Sequence, residues 1–134
     1  MAEEATLVIV KPDAVLRGLI GEVLGRLERK GLRIEAMRRM RIDRDLAERH
    51  YDEHRDKAFF DELVDFITSG EVVVARVVGE QAVSVVRTLM GPTDPAAAPP
   101  GTIRGDYGVV ITENLVHGSD SPESAKRELD LFFG

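Results

Sequence analysis

The sequence contains no cysteine and no tryptophan, and only one asparagine, Asn114, and one glutamine, Gln81. Without thiols there is neither a disulfide framework nor a thiolate metal site. A zinc centre would have to come from histidine and carboxylate, and His50, His54 and His117 are the only histidines. His50 and His54 stand four residues apart, but "HYDEH" lacks the glutamate spacing of a zinc-protease helix, and the pair reads as two partly exposed helix histidines. No apolar run approaches the length of a bilayer span. The start, "MAEEATLVIVKPD", is acidic and runs directly into a strand pattern, so no secretory signal is expected and the expected compartment is the cytoplasm. A basic excess is missing too: the net charge is −6 and the pI about 5.1. That argues against a nucleic-acid coat, yet leaves room for a small anion gripped by a few arginines. Depletion of Asn, Gln and Cys is a habit of hyperthermophile proteins, and equally of engineered or reconstructed sequences. In either case it directs attention to Asn114.

The usual glycine-loop phosphate grips are also absent. "GLIGEVLG" lacks the Lys-Ser/Thr that closes a P-loop, and no GxGxxG follows a strand. Any phosphate grip must therefore be built from side chains.

At 134 residues, 43% hydrophobic, the chain is expected to form one domain, 1–134, burying roughly two-thirds of its unfolded surface. "TLVIVK" (6–11) is a short β-branched run ended by Pro12 and Asp13. "LIGEVLGRLERKG" (19–31) places Leu19, Ile20, Val23, Leu24 and Leu27 at helical spacing and closes on Gly31. "LRIEAMRRMRI" (32–42) alternates, then slips at Met37, which predicts a strand with a bulge. Asp43 is an N-cap for a polar helix, 44–54. A second short helix covers 59–70, the strand "EVVVARVVG" covers 71–79, and a helix covers 81–91. The segment 92–106 holds four of the six prolines; an aperiodic loop of this length is usually functional or disordered. "YGVVIT" (107–112) reads as a strand. Ser121 then caps a helix whose first residues are Pro122 and Glu123. With the inserted helical pair 44–70 set aside, the order is βαββαβ. That is the α+β, ferredoxin-like sandwich, with a four-stranded antiparallel sheet and helices on one face.

Candidate phosphate ligands are Lys11 at a strand end, Arg87 near a helix end, and Thr93 and Arg104 in the stiff loop. A guanidinium fork suits phosphate oxygens because it can bind two at once. His117 lies between Asn114 and a helix carrying Glu128. An imidazole is a competent nucleophile when one ring nitrogen is free and the other donates to an acceptor. Glu128 can be that acceptor, with Ser119 holding it. Phe59 and Phe60, adjacent on a helix, point different ways: one suits the core and the other a cleft.

With Lys11-Pro12-Asp13, Arg87, "GTIRGDYG" and "NLVHGSDS" in view, the chain resembles the nucleoside diphosphate kinases from "TLVIVKPDAV" to "SAKRELDLFF". The resemblance implies a phosphotransferase that moves the terminal phosphate of a nucleoside triphosphate to a diphosphate through a phosphohistidine, with ping-pong kinetics and weak base preference. It implies that His117 takes the phosphoryl group on Nδ1, with Glu128 and Ser119 on the far side of the ring and Tyr51 beside it. Arg87, Thr93, Arg104 and His54 then contact phosphates. Lys11 and Asn114 face the sugar hydroxyls and the phosphate near them, and Phe59 stacks on the base between Leu63 and Ile111. Mg²⁺ would be held mainly by nucleotide phosphates rather than by protein ligands. A homo-oligomer is implied, a hexamer or, less often, a tetramer built from a common dimer; no membrane or nucleic-acid partner is expected. Ala58, Glu71, Tyr107 and Glu113 depart from the family's usual residues without removing a catalytic group. The alternative is a non-catalytic nucleotide-binding protein on the same fold, which would be free to lose part of the His117, Glu128, Arg87, Arg104 and Lys11 set.

Overall fold

A computed structural model describes residues 3–134. Four strands, β1 (Glu3–Val10), β2 (Arg33–Arg41), β3 (Glu71–Glu80) and β4 (Val116–Gly118), form one antiparallel sheet in the order β2-β3-β1-β4. The connections carry α1 (Pro12–Leu16), α2 (Ile20–Lys30), α3 (Arg44–His50), α4 (Phe60–Ile67), α5 (Ala82–Met90) and α6 (Ile103–Tyr107), and α7 (Pro122–Phe133) closes the chain. Short 3₁₀ turns lie at 52–54 and 95–97.

The α+β antiparallel plan holds, but the helices cover both faces of the sheet rather than one. Strand alternation shows why. Val8 and Val10 of β1, with Val73, Ala75 and Val77 of β3, pack against Val23 and Leu27 of α2 and Val86 and Met90 of α5. Leu7 and Ile9, with Val72 and Val74, face the other way, onto Ala47 of α3, Val64 of α4 and Leu129 and Phe132 of α7. The two central strands are thus buried on both faces, and their near-continuous apolar runs reflect that. The inserted helices that seemed peripheral to the βαββαβ count form the second layer with α7.

Local signals act where expected at the helix ends. Gly31 closes α2 at φ 106°, a left-handed cap that glycine adopts without strain. Asp43 accepts from Leu46 N to start α3, and Ser121 accepts from Ser124 N to start α7. The β2 irregularity lies between Ile34 and Ala36 rather than at Met37. The helix read over 44–54 stops at His50 and continues as a 3₁₀ turn. Pro12 and Asp13 end β1 as expected, but also open the short α1.

The fourth strand is the main correction. Residues 108–115 are irregular, and Val109, Val110 and Ile111 are exposed. Their β-branched composition suits a strand only where a partner is available, and the edge of β1 is taken by 116–118 instead. There Val116, His117 and Gly118 pair with Val10, Ile9 and Val8. His117, expected in a loop, therefore stands on the sheet.

Candidate active site

β4 fixes the backbone of His117, and α7 brings Glu128 beneath it. His117 Nε2 lies 2.9 Å from Glu128 Oε1, and Ser119 Oγ donates to the same oxygen at 2.7 Å. Ser119 is itself anchored, accepting from Leu7 N at 3.2 Å. An ionised carboxylate only accepts, so the pair assigns the ring proton to Nε2 and leaves the Nδ1 lone pair free. Burial alone would raise the Glu128 carboxyl. The hydrogen bond and charge of His117, with smaller contributions from His50 and Ser119, outweigh it and hold the group below the usual carboxylate range.

Gly118 explains how close this strand comes to α5. A Cβ there would meet Met90 Sδ at 2.6 Å and Val86 Cγ1 at 2.9 Å. The close approach lets Arg87, on α5, donate to Gly118 O at 3.2 Å. Arg104, in the first turn of α6, is buried and spans three carbonyls: Asn114 O at 3.1 Å, Gly91 O at 3.0 Å and Val116 O at 2.7 Å. A guanidinium has five N–H donors, so donors remain for a ligand. Burial and the neighbouring Arg87 lower its pKa to about 10. Lys11 follows directly after β1 and donates to Asn114 Oδ1 at 2.8 Å, while Asn114 Nδ2 donates to Thr93 O at 3.2 Å. Burial first, then Arg104, lowers Lys11 to about 8, partly offset by Asp13. Burial and the Glu128 charge raise the Tyr51 phenol, keeping it neutral.

These groups line a cleft of about 350 Å³ that also takes in His54, Phe59 and Leu63. The cleft runs into a more apolar slot of about 540 Å³ lined by Phe59, Leu63, Phe66 and Ile111, with Glu62, Thr112 and Glu113 among its polar groups. Lys11, Thr93 and Asn114 belong to both, so cleft and slot are one groove. Phe60 is buried while Phe59 stays partly exposed at the groove, dividing the two rings as expected. The proline-rich loop is tied down rather than disordered: Asp94 and Thr102 cap its short helical turns, and Arg26 pairs with Asp106 at 2.8 Å.

All thirteen residues singled out from the sequence meet here, with Ser119 behind the ring and Ile111 at the slot. Several neighbours were not singled out. His50 is buried rather than partly exposed; its ring stands edge-on to His117 with centroids 4.7 Å apart, and neither nitrogen has a hydrogen-bond partner. Burial, then the neighbouring His117, holds it neutral, far below the ordinary histidine range. The sequence signal was present in the i, i+4 pair with His54, but only tertiary packing distinguishes the buried member. Arg127, next to Glu128, donates to His50 O at 3.2 Å and approaches Glu128 Oε2 at 3.8 Å.

Among the described residues, one trio could hold a metal: His50, His117 and Glu128, with ligand atoms within 4.8 Å of one another. It does not suit Mg²⁺, which takes oxygen ligands in a tight octahedron, and Glu128 Oε1 already accepts two hydrogen bonds.

The family model described as nucleoside diphosphate kinase matches residues 4–134. A nucleoside diphosphate kinase of Rubrobacter xylanophilus is 63% identical over 131 residues, 98% of both chains. One from Archaeoglobus fulgidus is 62% identical over 130 residues, 97% of this chain and 86% of the relative. Among solved structures, a halophilic nucleoside diphosphate kinase from Halobacterium salinarum in complex with CDP superimposes with TM-score 0.96 at 54% identity, covering 98% of this chain and 88% of that one. The Aquifex aeolicus nucleoside diphosphate kinase matches with TM-score 0.96 at 42% identity, over 99% and 96% of the chains.

Proposed function

The chain belongs to the nucleoside diphosphate kinase family, and from that premise we propose how its residues pass a terminal phosphate from a nucleoside triphosphate to a diphosphate. The observation that carries the reading is the His117–Glu128 pair at 2.9 Å, opening into an arginine-lined groove. With Nε2 held by the carboxylate, the Nδ1 lone pair attacks the γ-phosphorus. The P–O bond to the β-phosphate breaks, and the diphosphate leaves with that electron pair. The ring proton stays on Nε2, where Glu128 stabilises the positive charge of the phosphorylated imidazole. An acceptor diphosphate then occupies the same groove, and its terminal oxygen takes the phosphoryl group back off Nδ1.

Phosphoryl transfer depends on in-line placement and charge neutralisation. Arg87, Arg104, Thr93 and His54 surround the phosphates. Lys11 and Asn114 face the sugar, Tyr51 bounds the reacting ring, and Phe59, Leu63 and Ile111 hold the base by its faces. Face contact discriminates weakly, because every base has a π-face. The family's kinase reaction needs a divalent cation; we assign Mg²⁺, which when bound to the nucleotide neutralises phosphate charge.

We further read residues 1–134 as one catalytic domain of a homo-oligomer, a hexamer or else a tetramer, working in the cytoplasm. Exposed Leu16, Met37 and Val109 and the unpaired outer edge of β2 support self-association. Light scattering on the purified protein counts the subunits.

The test of the chemistry is to mix the protein with γ-labelled triphosphate alone. An acid-labile, base-stable phosphoenzyme is expected, approaching one label per subunit and absent from His117→Ala. An unlabelled wild type would leave the chain a nucleotide binder.

A further inference from the structure

Among the described residues, two other than glycine have positive φ: Gln81 at 52° and Leu115 at 75°. Gln81 is an exposed helix start. Leu115 is fully buried and lies two residues before His117. Val116 N donates to Asn114 O at 2.8 Å, so the chain closes a γ-turn over Leu115 in the left-handed sense, a rare and strained form. Such strain persists only when its surroundings enforce it.

Three contacts do so. The Leu115 side chain sits in the core. Leu115 O accepts from Lys11 N at 2.9 Å. Leu115 N donates to Asp13 Oδ2 at 3.1 Å, a bond joining residues 102 apart in sequence. Asp13 is buried, and its Oδ1 has no partner. A carboxylate kept in that place bonds the turn's own amide, on a segment distant from its own helix.

The turn aims two carbonyls at one guanidinium. Asn114 O and Val116 O, on either side of Leu115, accept from Arg104 Nε and Nη2. The Asn114 side chain, on the same peptide arm, bridges Lys11 and Thr93. We propose that Asp13 is a positioning residue for nucleotide binding: by pinning the Leu115 amide it keeps the left-handed turn, and through the turn it sets Arg104 and Asn114. This inference deepens the site reading above and rests on it.

The test compares Asp13→Asn, which keeps a carbonyl acceptor, with Asp13→Ala and with Asp13→Leu, which fills the space without accepting. For each, KM for the acceptor diphosphate, kcat, the fraction of subunits that can be phosphorylated, and Tm are measured. Loss of the pin is expected to raise KM about tenfold or more in the Ala and Leu variants, as small misplacements of binding groups do. The phosphorylatable fraction at saturating triphosphate stays full, and the Asn variant stays within about threefold of wild type because its hydrogen bond survives. Unchanged KM in Ala and Leu overturns the proposal. So does an equal defect in Asn, which would make charge rather than the acceptor decisive, or an activity loss that follows the active fraction alone. If Ala does not fold, Leu carries the comparison; failure of both to fold counts against a positioning role. Equilibrium titration with nucleotide reads the same affinities without turnover. A wild type that bound nucleotide but formed no phosphoenzyme would therefore sink the functional reading and leave this comparison standing.

Discussion

The two ends of the groove are built differently. At the reacting end, His117 is on a strand, Glu128 on a helix and Ser119 is hydrogen-bonded to β1. Glu128 and Ser119 are buried, and the hydrogen bonds run from 2.7 to 3.2 Å. At the other end, the slot proposed to take the base, Phe59 and Ile111 come from irregular segments, both more than a third exposed. The difference teaches where geometry matters. A transferred phosphoryl group demands orientation to a fraction of an ångström, whereas a stacked base tolerates slack. Rigid elements supply the first and loops suffice for the second.

That contrast can be broken at graded points. The largest effect is expected from His117→Ala, with transfer falling on the order of 10⁴-fold or more, as loss of a covalent nucleophile does elsewhere. Calorimetry should show diphosphate affinity within a few-fold of wild type, and a variant that still transferred at the normal rate would remove His117 from the mechanism. Glu128→Gln should slow both half-reactions roughly 10- to 100-fold, the usual cost of losing a ring-orienting partner, with KM little altered; stopped-flow phosphorylation and dephosphorylation measure each separately. A third point is pH. Lys11 is lowered to about 8, so it carries its charge below that value and loses it above. KM for nucleotides should then climb by up to about tenfold per unit above pH 8. Lys11→Arg, whose charge persists, should flatten that rise. At the open end, Phe59→Ala should raise KM only about fivefold, the low end of stacking energies, and by similar factors for purine and pyrimidine diphosphates. A strong base-dependent effect would show that the slot reads base edges. Smallest of all, Arg39→Gln removes an exposed pair with Glu71 and should shift unfolding free energy by no more than about 0.5 kcal/mol in a denaturant titration.

The same contrast governs what was legible in the sequence. Helix ends, the central strands and the His117–Glu128–Ser119 set follow from local patterns, because caps, alternation and short-range spacing are written into neighbouring residues. The fourth strand lies elsewhere than composition suggests: Val109, Val110 and Ile111 have the residues of a strand, but 116–118 take the edge of β1. His50 was misread because its burial depends on Phe132 and His117, far along the chain. Asp13 reads as a strand terminator until the fold brings Leu115 beside it. What escaped in these three was long-range pairing; the β2 bulge and the end of α3 were missed by only a few residues.

Cleft and slot share Lys11, Thr93 and Asn114, which leaves a single berth for donor and acceptor alike. The spent nucleotide must vacate before the next can dock, and either one can lodge while the histidine is in the wrong state for it. A surplus of diphosphate over triphosphate would therefore stall the unloaded protein, so turnover answers to the ratio of the two pools as much as to their size.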